Sequence, residues 1–97
     1  MYAWNANVDF NVYSNREFGL GRPDIVLIPK SKERTAYILE FKWDSTKGKK
    51  TLEYLVETAK KQVEEKKYIE GVKAVFEGNI KVICVGFKGK EVELELS

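Results

Sequence analysis

The chain has 97 residues, of which 43% are hydrophobic and 33% are charged, and its formal net charge is +2. This composition is typical of one globular domain with a thin core, and the nearly balanced charge does not by itself indicate a nucleic-acid-binding protein. Because the sequence contains no histidine, histidine-metal sites, Ser-His triads and histidine general bases are excluded. The single cysteine, Cys84, lies in an apolar run, and we recognise no signal peptide or membrane-spanning stretch, so we expect a cytoplasmic protein without disulfides.

Three β-strands are predicted in the first half of the chain. Residues 8–13 alternate between apolar and polar side chains, as a half-buried strand does. Residues 24–28 form a β-branched run that follows a glycine-containing turn, and residues 35–43 are rich in aromatic and β-branched side chains. The charged loop at residues 30–34 is short enough for a hairpin, so the second and third strands should be antiparallel.

One long amphipathic helix is predicted from Thr51 onward, because apolar residues then recur at a spacing of three and four. They are Leu52, Leu55, Val56, Ala59, Val63, Tyr68 and Ile69. Ser45 or Thr46 would cap the start of this helix, and Gly71 or Gly78 would end it. The residues after Gly71 then form either its last turn or a separate short helix.

Two further strands are predicted after the helix. Residues 80–87 are too apolar for a solvated strand and indicate a buried central one, whereas residues 91–96 alternate as an edge strand does. A helix between the third and fourth strands implies a parallel, right-handed crossover. The expected fold is therefore α/β, with the order β-β-β-α-β-β, a mixed sheet and a single domain across residues 1–97.

Three candidate catalytic side chains fall on the second and third predicted strands. Glu40 and Lys42 share one face of a strand because they are two positions apart, and hairpin pairing would bring Asp24 close to both. Two carboxylates and the backbone carbonyl of Phe41 are the hard oxygen ligands that Mg²⁺ prefers, and a neighbouring lysine could orient or deprotonate the attacking water. Alternatively, Asp24 is a turn residue after Pro23 and the other two form an ordinary ion pair on a solvated strand.

Four sequence blocks occur in a characteristic order along nearly the whole chain. They are SNREFGLGRPDIVLIP, AYILEFKW, a helix containing KKQVEEKKY, and VICVGFKGKEVEL. Together they resemble the PD-(D/E)XK nuclease superfamily, and more narrowly the nuclease-like domain at the C-terminus of many bacterial AAA-ATPase-like proteins. The resemblance implies a restriction-endonuclease-like core, a neighbouring ATPase-like domain in the native context, and a deoxyribonuclease dependent on Mg²⁺ or Mn²⁺. It further implies that Asp24 and Glu40 bind the metal and that Lys42 is the catalytic lysine.

The resemblance also extends to three further positions. Gln62 and Tyr68 would lie on the helix near the site, although Gln62 could equally be a surface residue and Tyr68 also fits the core. Glu17 matches a glutamate of the family pattern and is either a further metal ligand or the partner of an arginine. Superfamily members usually carry a helix before the first strand that contributes a glutamate, and here only about seven residues precede Val8. Either Glu17 or Asp9 takes that role, a second subunit supplies it, the chain is trimmed, or the protein does not cleave.

Basic and aromatic residues indicate the expected partners. Lysines and an arginine flank the candidate catalytic strand, where they are either solvated or in contact with DNA phosphates. They are Lys30, Lys32 and Arg34 before it, and Lys42, Lys47, Lys49 and Lys50 at its end and after it. The aromatic residues Tyr2 and Trp4 favour an interface, so we expect a homodimer. The two functional hypotheses are a DNA-cleaving enzyme and a module on the same fold that binds nucleic acid or a partner without cleavage.

Overall fold

The computed structural model describes residues 9–97, which form a five-stranded mixed sheet with helices on one face. The strands follow one another across the sheet in chain order. They are β1 (Phe10–Ser14), β2 (Ile25–Pro29), β3 (Ala36–Asp44), β4 (Ile80–Lys88) and β5 (Glu91–Leu96). β3 and β4 are parallel, and the other neighbouring pairs are antiparallel. The predicted α/β class, the mixed sheet and the element order are therefore confirmed.

The strand boundaries differ little from those predicted. β2, β3 and β4 each lie within one residue of the predicted range, and β5 matches it. The first strand begins at Phe10, while Val8, at which it was predicted to begin, lies outside the described residues. The expectation that the usual N-terminal helix is absent and the interface role of Tyr2 and Trp4 also concern residues outside that range.

Helix α1 (Leu52–Glu65) is capped by Thr51 just before its first residue, and the side chain of Thr51 accepts a hydrogen bond from the backbone N–H of Tyr54 at 3.0 Å. The predicted caps at Ser45 and Thr46 are therefore wrong, because the chain forms a separate turn there before the helix starts. The apolar face of α1 packs on the sheet. Its buried members are Leu55, Val56, Ala59 and Val63.

The helix ends at Glu65, earlier than the sequence pattern indicates. Lys67 adopts a left-handed backbone conformation with φ 55°, which turns the chain, and a short helix α2 (Tyr68–Lys73) follows. Neither Gly71 nor Gly78 ends the first helix as predicted. Gly71 instead lets α2 approach the turn before β2. A Cβ atom at position 71 would lie 2.1 Å from the backbone nitrogen of Gly19 in that turn. Within residues 9–97, no helix is long and apolar enough to cross a membrane.

The hydrophobic core lies between the helices and one face of the sheet. Alternate residues of β3 point into it, so that Ala36, Ile38 and Glu40 are buried while Tyr37 and Leu39 are only partly covered. Its other buried members include Phe18, Val26, Tyr68, Val72, Val82 and Cys84. Glu40 therefore continues a row of core side chains, which places a carboxylate at the edge of the core.

The opposite face of the sheet also carries apolar side chains. On β5 these are Val92, Leu94 and Leu96, each between 55% and 56% exposed, and we call them the β5 patch. Glu95 on the same strand points to the helix side, since it forms an ion pair with Lys60 at 2.6 Å. The alternation of β5 thus separates an acidic row on the helix side from an apolar row on the other.

Candidate active site

Asp24 is fixed at the start of β2 by hydrogen bonds to β3. Its backbone N–H donates to Oε1 of Glu40 at 3.3 Å, and its Oδ2 accepts a hydrogen bond from the N–H of Phe41 at 2.8 Å. Pro23 just before it is fully buried, and its restricted φ limits how the chain can enter the strand. Asp24 itself is exposed. Its carboxylate is therefore held in place while remaining accessible to solvent.

Glu40 is the buried charged residue of the described part of the chain, with 2% exposure. Burial raises the pKa of Glu40 to about 7, and the negative charge of Asp24 adds to this rise. The Asp24 N–H and the positive charge of Lys42 act in the opposite direction. Burying a carboxylate is unfavourable for stability. A buried carboxylate with a strongly shifted pKa beside a second carboxylate is therefore typical of a functional site.

Lys42 is held between Glu40 and α1. Its Nζ lies 3.7 Å from Oε2 of Glu40 and donates a hydrogen bond to Oε1 of Gln62 at 2.5 Å. The Gln62 side-chain amide in turn donates to the hydroxyl of Tyr68 at 3.0 Å, and Tyr68 is only 1% exposed. Tyr68 is thus a core residue whose hydroxyl anchors the glutamine. From the sequence, Gln62 could equally have been a surface residue. In the structure it accepts a hydrogen bond from Lys42.

The donor set of this site fits a hard divalent cation. Asp24 and Glu40 supply carboxylate oxygens. The N–H of Phe41 points to Asp24, and in a β-strand the carbonyl of a residue points to the same edge as its N–H. Two carboxylates, one carbonyl and several waters are a common oxygen shell for Mg²⁺. A cation there would also offset the mutual repulsion that contributes to the raised pKa of Glu40.

Two further carboxylates do not join this pair. In the range that the structure covers, 9–97, no three Asp, Glu or Cys side chains gather as a metal site, so Glu17 does not complete a cluster with Asp24 and Glu40. Nor does Glu17 form an ion pair with an arginine of that range. Asp9 pairs with Arg34 at 3.4 Å, at the other end of β2. The site thus rests on two carboxylates.

The basic residues predicted to contact phosphates fall into two separate groups. Lys30 and Lys32 line a cavity of about 510 Å³ together with Lys73 of α2. That cavity lies at the end of β2, roughly 16 Å from Asp24 at the strand rise of ~3.3 Å per residue. Arg34 is engaged by an ion pair and lies over the ring of Phe10. The other group, in the loop after β3, lies at the same end of the sheet as the carboxylates.

Sequence reasoning did not identify the residues that organise the loop after β3. Asp44 accepts hydrogen bonds from two backbone N–H groups of this loop, and Lys88 donates to two of its carbonyls. The Asp-Ser-Thr-Lys-Gly order is a recognisable turn signal for the aspartate. Lys88 could not be found in this way, because its role depends on the parallel register that places it beside Asp44.

Comparison with known proteins agrees with this arrangement. The family model of the PD-(D/E)XK nuclease superfamily matches residues 1–96. No curated protein and no solved structure matches the chain. Nucleases of this superfamily generally use divalent metal ions in the hydrolysis of phosphodiester bonds. Because the match spans almost the entire sequence and the mixed sheet carries the expected acidic pair and lysine, the chain belongs to the PD-(D/E)XK nuclease superfamily.

Proposed function

We propose that this protein is a nuclease that hydrolyses DNA phosphodiester bonds with Mg²⁺ or Mn²⁺. The observation that carries the proposal is the convergence of Asp24, Glu40 and Lys42 from neighbouring strands, with direct hydrogen bonds between the strands at the two carboxylates. Phosphoryl transfer depends mainly on positioning and on stabilising negative charge, and this cluster has the groups for both.

Each residue has a distinct part in the proposed reaction. Asp24 and Glu40, with the carbonyl of Phe41, would hold the metal ion, which supplies positive charge to phosphate oxygens and lowers the pKa of a bound water. Lys42 directs its ammonium to the space beside Glu40, where it orients the attacking water and offsets charge that grows on the phosphate. Gln62 keeps the lysine in that position by accepting its hydrogen bond.

The direct test is cleavage of labelled single-stranded, duplex and branched DNA in Mn²⁺, in Mg²⁺ and in EDTA. Asp24→Ala should lower the cleavage rate at least a hundredfold, because it removes a metal ligand whose carboxylate also accepts the hydrogen bond of the Phe41 N–H. Asp9→Ala is the matched control, since Asp9 is paired at the far end of β2, and its rate should stay within twofold of wild type.

The same pair of variants gives a readout that does not require turnover. Titration with Mn²⁺, followed by calorimetry, should show weaker binding by Asp24→Ala and unchanged binding by Asp9→Ala. Cleavage that persists in Asp24→Ala at the wild-type rate, or that proceeds equally well in EDTA, would exclude the proposed metal site.

A second candidate function is a module that binds a partner, as the non-cleaving alternative requires, and the β5 patch favours partner binding. Its three apolar residues are more than half exposed and the patch contains no charged side chain. A two-fold symmetric interface places the same surface of both copies in contact, so an uncharged patch can pack on its own copy without repulsion. The occupant that we propose is a second copy of this chain.

Light scattering after gel filtration tests this dimer. At high concentration we expect a mass of twice the 11.2 kDa chain for the wild type. Leu94→Lys should give the monomer mass, because two lysines would then face each other at the centre of the interface. Glu91→Lys, on the helix side of β5, is the control and should remain dimeric. A monomeric wild type would contradict the dimer.

A further inference from the structure

The loop between β3 and α1, residues 45–50, is rigidly built. Asp44 accepts hydrogen bonds from the N–H of Ser45 at 2.9 Å and of Lys50 at 3.2 Å. From the other side, Lys88 donates to the carbonyls of Gly48 at 2.9 Å and of Lys50 at 2.6 Å. A side chain at Gly48 would overlap the Asp44 carboxylate, since its Cβ would lie 2.0 Å from Oδ2. We call residues 45–50 the basic loop.

The basic loop presents positive charge to solvent. Lys47, Lys49 and Lys50 are exposed, and none of them forms an ion pair within the described range of residues. The nearby carboxylate of Asp44 is directed at backbone N–H groups of the loop, which hold its pKa below the usual value. Exposed, unpaired ammonium groups on a fixed loop attract phosphate groups.

Tyr54 stands beside this loop on the first turn of α1. Tyr54 is 54% exposed, and Nζ of Lys50 lies 5.9 Å from the centroid of its ring. Tyr54 contributes to the lining of two cavities. One, of about 310 Å³, is lined by Lys49 and Lys50, and the other, of about 350 Å³, extends along α1 to Gln62. An exposed aromatic side chain that borders open space can stack on a nucleobase.

The two cavities differ in charge. The one toward the basic loop has lysines as its charged side chains, so it suits a phosphate. The one toward Gln62 is lined by two glutamates and two lysines, so its charges balance and it suits a neutral base. The four charged residues of this second cavity are Glu57, Glu65, Lys61 and Lys66. Gln62, which positions Lys42, lies eight residues after Tyr54, or about 12 Å along the helix axis.

We propose that Tyr54 and the basic loop bind a single-stranded stretch of nucleic acid and lead it to the site of Asp24, Glu40 and Lys42. One base stacks on Tyr54 on the side of Gln62, and the adjoining phosphates contact Lys49 and Lys50. In a duplex both faces of every internal base are covered by its neighbours, so along a strand this contact requires an unpaired nucleotide. This inference rests on the proposed function, since it names the form of nucleic acid that the same site receives.

Fluorescence anisotropy of labelled 12-nucleotide oligo-dT and oligo-U, in EDTA so that no cleavage occurs, tests the inference. Tyr54→Ala should weaken binding of both single strands about tenfold, while Tyr54→Phe, which keeps the ring, should stay within twofold of wild type. Trp43→Ala is the matched control, because Trp43 is 74% exposed on the opposite face of the sheet, and it should change nothing. Affinity for a 12-base-pair duplex should not depend on Tyr54.

Two further measurements separate stacking from charge. An abasic nucleotide placed in the oligo-dT should weaken binding to wild type but not to Tyr54→Ala, since the ring that it would contact is already gone. The double variant Lys49→Ala and Lys50→Ala should reduce the slope of log affinity against log salt by about 1.4, as expected for two phosphate contacts. Lys81→Ala, at the other end of β4, should leave the slope unchanged.

The outcomes distinguish this inference from the proposed function. Single-strand binding that is unchanged in Tyr54→Ala, or duplex binding that falls equally, overturns the single-strand site even if Asp24-dependent cleavage is observed. If Tyr54→Ala weakens single-strand binding but the wild type does not cleave in Mn²⁺, the binding site stands and the nuclease proposal is overturned.

Discussion

Replacement of Lys42 by alanine is expected to lower the rate of Mn²⁺-dependent DNA cleavage by about a hundred- to a thousandfold. The ammonium of Lys42 lies 3.7 Å from the carboxylate of Glu40 and is fixed by Glu40 and Gln62. Without it, charge that develops on the phosphate in the transition state loses a preorganised donor. Single-turnover rates at saturating Mn²⁺ and DNA measure this effect on the chemical step.

Further variants test whether the loss of cleavage rate is due to the Lys42 ammonium itself. Gln62→Ala should reduce the rate about tenfold, because Lys42 remains but loses the hydrogen bond that orients it. Lys81→Ala removes an exposed lysine far from the site and should have no effect. Lys42→Ala should still bind Mn²⁺, since no metal ligand is lost. A Lys42→Ala rate within fivefold of wild type would contradict the catalytic role.

Glu40→Gln is expected to stabilise the metal-free protein by about 3 kcal/mol at pH 8 and by less than about 1 kcal/mol at pH 5. The pKa of Glu40 is raised from 4.5 to about 7 in the folded protein, mainly by burial and then by Asp24. Folding therefore favours the protonated glutamate, and stability falls as the pH rises from 4.5 through 7. The neutral amide avoids this loss and can still accept the hydrogen bond from the Asp24 N–H.

Thermal unfolding followed by circular dichroism in EDTA measures this difference. At pH 8 the midpoint of Glu40→Gln should lie about 15 °C above that of wild type, and at pH 5 the difference should shrink to about 5 °C or less. Glu64→Gln, at an exposed position on α1, should follow the wild type at both values. Addition of Mn²⁺ at pH 8 should stabilise the wild type more than Glu40→Gln. Equal midpoints in EDTA at pH 8 would show that ionisation of Glu40 does not destabilise the folded protein.

Short-range rules were sufficient to predict the carboxylate pair. The two-residue repeat of a strand places Glu40 and Lys42 on one face, and the short loop after β2 fixes a hairpin that brings Asp24 beside them. The position of Gln62 could not be chosen in the same way. Which residue of α1 meets Lys42 depends on where the helix lies over the sheet, and helical spacing alone does not determine that.

The errors at the ends of the helix have similar physical causes. Ser45, Thr46 and Thr51 all carry a hydroxyl that can cap a helix. Because the chain forms a turn around Asp44, the helix starts only after Thr51. The end of α1 depends on Lys67, which adopts a left-handed conformation that usually favours glycine. Nothing in the helical spacing distinguishes this lysine from its neighbours.

Because β3 pairs in parallel with β4, the acidic pair and the anchored basic loop can form at different stages of folding. Residues of β3 pair with residues 44 positions later in the chain, as Ala36 does with Ile80. Asp24 and Glu40 meet through the local β2–β3 hairpin, which closes a short loop and can form early in folding. The contact of Lys88 with the basic loop requires the full crossover. A folding intermediate with the hairpin but without the crossover would thus already contain the acidic pair, while its basic loop would still lack its anchor.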